Sequence, residues 1–583
     1  MPVLPSFFLK RLYVKGSLVN TPEGCAFSLR NGLGAGSLTQ FYGLVVDGQS
    51  YPAEAFSVLL PNGEIRPGNE VSPEAPLALA SDVTYIIRLN AVRLARGQHA
   101  LKLRILTREL GALDIAISDA VGEKPAAGPG AAAKPAAAAS VDPPPVARPL
   151  RIAIIGAGSA VFARQLMADV LTAPGLDSGA FVLVDIDARR LDLAHRIGER
   201  MAAASGRRWR IEATAHRQKA LAGCDYVINT IEVAGLRNVR HDYDIPMKYG
   251  IDQCIGDTIG PGGIFKMLRT GPAWLQILGD IERLCPRAVV MNYTNPLSAL
   301  TLLALRATRL NVIGLCHSVQ DTSQRLASYL DVPFAELRWR CAGINHLAWF
   351  TELTRGGEDM YPRLAERARD PEVYEADPNR FEVMRHFGAF VTESSGHLSE
   401  YVPYFRKRPE LIAKYARAGY RGESGFYANN WPDWRQGGDD SIRDIIECRS
   451  TLVMQRSDEY ASAIIEGIEL ARPQVIHGNV ANLGLIDNLP SSGCVEVPVL
   501  VDATGMHPVR FGPLPPQMAA LDMAHMPVHE LMVAAVLDRD ARAARRALLL
   551  DPLSAAVCSP EEIGSLFDEM WQAERQDLAW FEK

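Results

Sequence analysis

The stretch from Arg151 to Asp187 constrains the fold more than any other. RIAIIGAGSAVF sets a buried-type strand before Gly156 and Gly158 and a helix behind them; FVLVDID then ends a second strand on Asp185 and Asp187. Gly156 permits the tight turn, and Gly158 lets the backbone approach a pyrophosphate. Ser159 opens the helix whose N-terminus would receive that anion. Val161 stands where the usual third glycine would be, so the motif takes its weight from context. Acids at the end of the next strand suit a ribose hydroxyl and repel the extra phosphate of NADP, which makes NAD the expected dinucleotide.

Further buried-type strands, YVINTI, AVVMNYT and NVIGLCH, alternate with helical runs. That alternation predicts an α/β fold, with a Rossmann-type doubly wound parallel sheet over 150–345. From 346 to 583 the pattern turns mainly helical with irregular loops. An α+β domain is expected there, packed over the carboxyl ends of the strands and closing the pocket. Residues 1–120 differ again. FYGLVVDG, VTYIIRLN and ALKLRIL are short, β-rich and punctuated by Gly, Pro and Asn, which predicts a small all-β sandwich or barrel in an accessory role. Residues 121–149 are almost all Ala, Pro and Gly, with little to bury, and read as a linker.

Bulk properties exclude several classes. At 583 residues the chain is too long for one core. An apolar share of 48% with 22% charged residues is an ordinary soluble composition. The net charge of −6 offers no basic field to nucleic acid or an anionic membrane. No apolar run reaches the roughly 18 residues of a membrane span. The N-terminal MPVLPSFFLKRLYVKG lacks the pattern of a signal peptide. Nine cysteines without close pairs do not form a disulfide framework, so a reducing cytoplasm is the expected compartment.

A second group of residues carries chemistry. Cys316 and His317 follow the strand NVIGL, where α/β ligands collect, and His346 follows RWRCAGIN. Thiolate with imidazole suits Mn, Fe, Co, Ni or Zn rather than Ca or Mg. Each alone has a plainer reading, the cysteine as a small buried hydrophobe and the histidine as a satisfied structural residue. Asn295 in MNYTNP, Asp257 in DTIGPGG and Arg269 on the helix behind it gather at the same edge. Tyr401, in ESSGHLSEYVPYF, reads in isolation as a packed aromatic. Cys341 and His477 read as structural.

Together the strings IGAGSAVF, DIDARRL, DTIGPGGI, NYTNP, GLCHSVQ, RCAGINHLAWF, FVTESSGHLSEY and GNVANLGLIDNLP resemble the glycoside hydrolases of family 4 over about 150–583. The nearest subtype is the melibiase-like α-galactosidases. The resemblance implies an NAD- and divalent-metal-dependent route unlike the two-carboxylate one. Hydride leaves C3 of the sugar for NAD, and the ketone so formed acidifies the C2 proton. The aglycone then leaves C1 by elimination, water adds, and hydride returns. On this reading Cys316 and His346 hold Mn²⁺ or another divalent transition metal as a Lewis acid. Tyr401 takes the C2 proton, which requires a lowered pKa. His317 protonates the leaving oxygen. Asn295 holds sugar hydroxyls and completes the metal shell, while Asp257 and Arg269 fix the substrate or the nicotinamide region. His317 replaces the acid that phospho-sugar members carry, so an unphosphorylated glycoside is expected. An α-galactoside comes first, with glucoside, glucuronide and galacturonide open. A homo-oligomer, dimer or tetramer, is also expected. FSLRNGLGAGSLTQFYGLVVDGQSYPAEAFSVLL resembles the β-subunit domain of C-glycoside deglycosidases.

Two other readings compete. An NAD-dependent 2-hydroxy acid dehydrogenase would use Arg269 to pair a substrate carboxylate and would need no metal. A non-catalytic sugar- or NAD-sensing module would have no use for Cys316, His346 and Tyr401 together.

Overall fold

The computed structural model describes residues 148–582 and, apart from 15–16, 22, 31–35, 61–64, 74, 80–83 and 108–110, residues 13–121. The chain divides into two compact units, Met1–Ser140 and Val141–Lys583. Most of the tract read as a linker, residues 122–147, lies outside the described residues.

The first unit is a β-sandwich. Among the described residues two five-stranded sheets face one core to which Phe27 and Ile87 of one sheet and Leu103 and Ile115 of the other contribute. The strand Gly97–Thr107 shows the required period of two, with Leu101, Leu103 and Ile105 inside and Lys102 and Arg104 outside. Its partner Gly111–Val121 pairs along its whole length, antiparallel.

The second unit is organised by one 13-stranded sheet. Its first six strands are β1 (Leu150–Ile155), β2 (Ser178–Val184), β3 (Arg208–Thr214), β4 (Tyr226–Asn229), β5 (Val289–Asn292) and β6 (Asn311–Gly314). They are all parallel, in the order β3-β2-β1-β4-β5-β6. The order reverses between β1 and β4, the switch point where such sheets bind ligands. Helices cover both faces, so β1, β2 and β4 are buried almost throughout and read as continuous apolar runs.

Beyond β6 the sheet continues antiparallel, and its strands after about residue 350 are ones the helical pattern concealed. The hairpin β7 (Leu337–Ile344) and β8 (Leu347–Arg355) is followed by β9 (Gln474–Ala481) and β10 (Cys494–Asp502). β9 joins β6 antiparallel through Gly314 and Asn479, and the order runs on as β9-β10-β7-β8. The boundary expected at residue 345 thus falls in the two-residue turn Asn345–His346 of a hairpin and is no break in packing. Three short strands, Glu358–Asp359, Phe390–Val391 and Gly505–Pro508, complete the sheet.

The helices that shape the site are α1 (Ala160–Thr172), α2 (Ala188–Ser205), α3 (Gly235–Lys248), α4 (Gly260–Leu284), α5 (Leu297–Ala307), α6 (Ser318–Tyr329), α7 (Ser395–Tyr401), α8 (Phe426–Ile446) and α9 (Pro516–Asp538). Among the described residues only α9 is long and apolar enough to cross a membrane. It is a core helix here, since Met526, Val528, Met532 and Val533 are buried together with Asp522, His525 and His529.

Candidate active site

The dinucleotide end is built from backbone. Gly156 sits at φ 88°, and a Cβ there would come within 2.5 Å of the Thr230 carbonyl oxygen. At Gly158 a Cβ would meet Asp185 Oδ2 at 2.6 Å. Both glycines are therefore required, and they leave bare backbone at the mouth of α1. Ser159 is exposed and makes no capping hydrogen bond, so the first amides of α1 are open to an anion. Asp185 accepts from the Gly158 and Asp187 amides at 2.7 and 2.9 Å and keeps the turn closed. Asp187 instead caps α2 by accepting from the Arg189 and Arg190 amides. Of the two acids expected at the ribose, Asp187 is thus engaged in a helix cap and Asp185 in the glycine turn. Val161 is tolerated in place of the third glycine because it packs on Gly438 of α8, where a Cβ would lie 2.9 Å from its Cγ2. Asp439, one residue on, pairs with Arg190 at 3.3 Å, so α8 lies over this crevice.

Across the switch point the tips of β6 and of the β7–β8 hairpin bring Cys316 and His346 together, with Sγ and Nε2 3.3 Å apart. Glu393, which sequence reasoning missed, stands with its Oε2 3.6 Å from the same nitrogen. The three donor atoms lie within 4.8 Å of one another. Donors that share a cation at ~2.0–2.3 Å have about this spacing. His346 and Glu393 both hold left-handed backbone, φ 66° and 72°, although neither is glycine. Such strain persists where the surroundings over-determine it, and here it aims two of the three donors. Burial pushes the Cys316 thiol up to about 12, so it ionises only beside a cation.

A chain of hydrogen bonds stands behind His346. His346 Nδ1 lies 3.0 Å from His397 Nε2, and His397 Nδ1 lies 3.0 Å from Glu400 Oε2. Glu400 also accepts from the amides of Cys254, Ile255 and Gly256 at 2.6, 2.6 and 3.1 Å. Burial alone would raise its pKa, but the hydrogen bond from His397, the charge of Arg406 and the Ile255 amide hold it below the usual carboxylate range. The carboxylate can only accept, so His397 Nδ1–H donates to it and Nε2 accepts from His346 Nδ1–H. The lone pair of His346 is then on Nε2, facing Cys316 and Glu393. This is the carboxylate–histidine backing that fixes the tautomer of a metal-bound imidazole, extended by one ring. The signal was present in the sequence: His397, Glu400 and Tyr401 follow one another at the i, i+3, i+4 spacing of one face of α7.

Tyr401 is 1% exposed, its ring 6.3 Å from His346 and 5.3 Å from His397. Its carbonyl accepts from His525 Nε2 at 2.8 Å, which anchors the backbone. Its hydroxyl has no hydrogen-bond partner, unusual for a buried phenol. Burial and the acids Asp257, Glu393 and Glu400 push it well above the ordinary tyrosine value. The lowered pKa expected of a base is therefore not built from protein groups. His317 is 61% exposed at its side chain, with Glu459 at 3.8 Å and Asp321 at 3.9 Å. The carboxylates Asp321, Glu459 and Glu393 raise its pKa above the ordinary histidine value. A thiol at about 12 carries no charge at neutral pH, so the carboxylates account for the lift that operates.

Beside this set lies a pocket lined by Glu232, Asp257, Lys266, Tyr427 and Trp431 among others. Asp257 accepts from Asn295 Nδ2 at 3.1 Å, so two of the expected sugar-binding residues meet. Lys266 lies 3.0 Å from Glu232 and 3.5 Å from Asp257. Burial would raise the Asp257 pKa; Lys266 and the hydrogen bonds from Thr258 and Asn295 overcome this and hold it ionised. Arg269 is the exception. Its Nη atoms are taken by Asp242 at 2.8 and 3.0 Å and by Glu574 at 2.5 Å, and the side chain is 2% exposed. The expectation that it holds substrate is corrected: it ties α4 to α3 and to the C-terminal segment. Cys341 and His477 are buried in β7 and β9, and burial presses His477 down to about 4.

Fold and site together define a nucleotide-crevice α/β enzyme with a soft donor set just beyond the carboxyl end of a strand of the same sheet. Residues 151–332 match the family "Family 4 glycosyl hydrolase", and residues 341–554 match its C-terminal domain. An α-galactosidase of Bacillus subtilis (strain 168) is 39% identical over 434 residues, covering 73% of this chain and 98% of that protein. The chain belongs to family 4 of the glycosyl hydrolases and is a glycosidase. A Bacillus subtilis crystal structure described as a glucosidase superposes with TM-score 0.66 at 28% identity, covering 72% of this chain and 99% of that one. A 6-phospho-α-glucosidase from gut microorganisms, solved with NAD and Mn²⁺, has the same fold (TM-score 0.63, 20% identity, 74% and 99% covered). Residues 8–122 match "Hydroxymethylglutaryl-CoA reductase, N-terminal domain".

Proposed function

We propose that the protein hydrolyses unphosphorylated α-galactosides with NAD and a divalent transition metal, Mn²⁺ first. When bound, NAD supplies a reversible hydride acceptor and the metal a Lewis acid that stabilises charge on the sugar oxygens. The residues present fit both groups. Gly156, Gly158 and the open start of α1 offer a backbone cradle, with Asp185 for the ribose. Cys316, His346 and Glu393 are a thiolate, an imidazole and a carboxylate on one point.

The protein's own groups then divide the proton work. Tyr401 takes the proton from C2. Its environment of acids holds the phenol protonated, so it becomes competent only when a cation offsets them. His317, with Glu459 at 3.8 Å and Asp321 at 3.9 Å to favour its protonated form, gives its proton to the leaving oxygen. Asn295 and Asp257 hold sugar hydroxyls. Glu400 and His397 keep His346 in the tautomer that leaves Nε2 free.

Charge favours a neutral sugar over a uronide. Lys266 is matched by Glu232 and Asp257, and Arg269 by Asp242 and Glu574, so neither pocket cation is free for a substrate carboxylate. The same engagement of Arg269 removes the anion clamp that the hydroxy acid dehydrogenase reading required. We retain a homo-oligomer, dimer or tetramer, within the proposal; sedimentation reads it.

The observation that carries the proposal is the unpartnered Tyr401 hydroxyl beside the three-donor cluster. The test is a panel of nitrophenyl glycosides assayed with NAD and Mn²⁺ under reducing conditions. Turnover is expected on the α-galactoside and lost when either cofactor is removed. Activity indifferent to both omissions ends the proposal.

A further inference from the structure

We infer that the exposed rings of Tyr420 and Trp434 form a subsite for the leaving sugar of a di- or oligosaccharide substrate. The inference rests on the glycosidase reading above and deepens it by naming what occupies the open side of the pocket.

Two rings of the pocket wall, Tyr427 and Trp431, stack at 5.4 Å and 19°. Tyr427 lies 6.3 Å from Trp434, and Trp434 stacks on Tyr420 at 5.9 Å and 17°. Phe426 wedges edge-on against both, at 5.2 and 4.8 Å. Positions 427, 431 and 434 follow the i, i+4, i+7 spacing, so one face of α8 carries an unbroken aromatic band from the pocket to the surface. The inner end of the band reaches the chemistry, since Tyr427 and Trp431 line the pocket together with Asp257 and Lys266.

At the outer end Tyr420 is 52% and Trp434 40% exposed. Among the described residues neither the Tyr420 hydroxyl nor the Trp434 indole N–H has a hydrogen-bond partner. A pyranose offers the complement, an apolar face of C–H groups rimmed with hydroxyls. Aromatic rings with a polar tip are suited to such half-wet contact. Geometry adds a reason. Cleavage at C1 must leave the aglycone on the solvent side of the pocket, and this band is the wall that continues outward. A second copy of the chain is a poorer occupant. Two rings bury about 150–250 Å² each, against about 800 Å² per partner in a stable interface. Exposed Glu423 and Asp433 flank them and interrupt any larger apolar patch.

The experiment compares an α-galactosyl disaccharide with methyl α-galactoside, in the presence of NAD and Mn²⁺, for wild type, Trp434→Ala and Trp434→Phe. Loss of one stacking ring should raise KM for the disaccharide about three- to tenfold and leave methyl α-galactoside within about twofold. Trp434→Phe, which keeps a ring face, should restore most of the difference. Equal effects on both substrates, or none, overturn the subsite. Dissociation of an oligomer by Trp434→Ala in sedimentation, with both substrates impaired alike, also overturns it and assigns the band to an interface. A wild-type protein that cleaves neither glycoside removes the glycosidase reading and the subsite with it. Cleavage with unaltered preference in the variants removes the subsite alone.

Discussion

On the dinucleotide side, Gly156, Gly158, Ser159 and Asp185 come from one strand–turn–helix–strand run, and their work is done by backbone shape. On the metal side, Cys316, His346, Glu393 and Tyr401 come from separate segments, and they meet only because β6, the β7–β8 hairpin and α7 end at one place. The first region rests on buried apolar strands. The second is dense in buried ionisable groups, with Glu400, His397, Asp522, His525 and His529 all less than a tenth exposed. The comparison teaches that one cleft can join a cradle shaped by the backbone of one local run to a reaction centre that is long-range and electrostatic. The two should therefore fail separately.

The largest effect is expected at Tyr401. Tyr401→Phe removes the proton acceptor without touching a donor atom, so turnover should fall by about 10²–10⁴. Mn²⁺ and NAD binding, measured by paramagnetic resonance and fluorescence, should be retained. Wild-type turnover in that variant would place the base elsewhere.

Acid should separate the two regions next. Burial holds His525 down at about 4 and His529 at about 3. Since the folded values lie below the ordinary 6.5, both histidines stabilise the fold above pH 6.5. That stability is lost as pH falls from there through about 4. A shift of this size corresponds to about 3 kcal/mol for His525. Hydrogen exchange, corrected for intrinsic rate, should quicken in α9 before it does in β1 and β2. Uniform quickening would show that the regions share one stability.

A smaller change is expected from the hydrogen-bonded backing. His397→Ala should weaken Mn²⁺ by about 10–100-fold and leave the NAD dissociation constant unchanged. Equal loss of both ligands would mean a global disturbance. The smallest effect is at Asp187. Asp187→Ala should cost about 1 kcal/mol in thermal unfolding through the lost cap, with NAD affinity nearly intact. Asp185→Ala should do the reverse, weakening NAD more than the fold; the opposite pattern would reverse the two assignments.

This division also explains what the sequence could disclose. The glycine turn and its acids lie within one short span, so their spacing reports the geometry directly. Cys316 and His346 were identifiable as residue types at strand ends. Glu393 was not, because its claim rests on a left-handed φ and on a hairpin that closes from elsewhere. Arg269 was over-read for the same reason: its partners Asp242 and Glu574 lie 27 and 305 positions away, and only the fold reveals that its charge is spent. The strands β9 and β10 escaped notice because they extend the six parallel strands antiparallel, from a region whose pattern is dominated by helices.

The central claim is that hydrolysis passes through a sugar whose C2 proton has been removed while NAD is not consumed. The direct measurement is turnover of an α-galactoside in D₂O with catalytic NAD and Mn²⁺, followed by NMR of the released sugar. The account predicts deuterium at C2 of the released galactose and no accumulation of NADH. Full turnover with protium retained at C2 would contradict it.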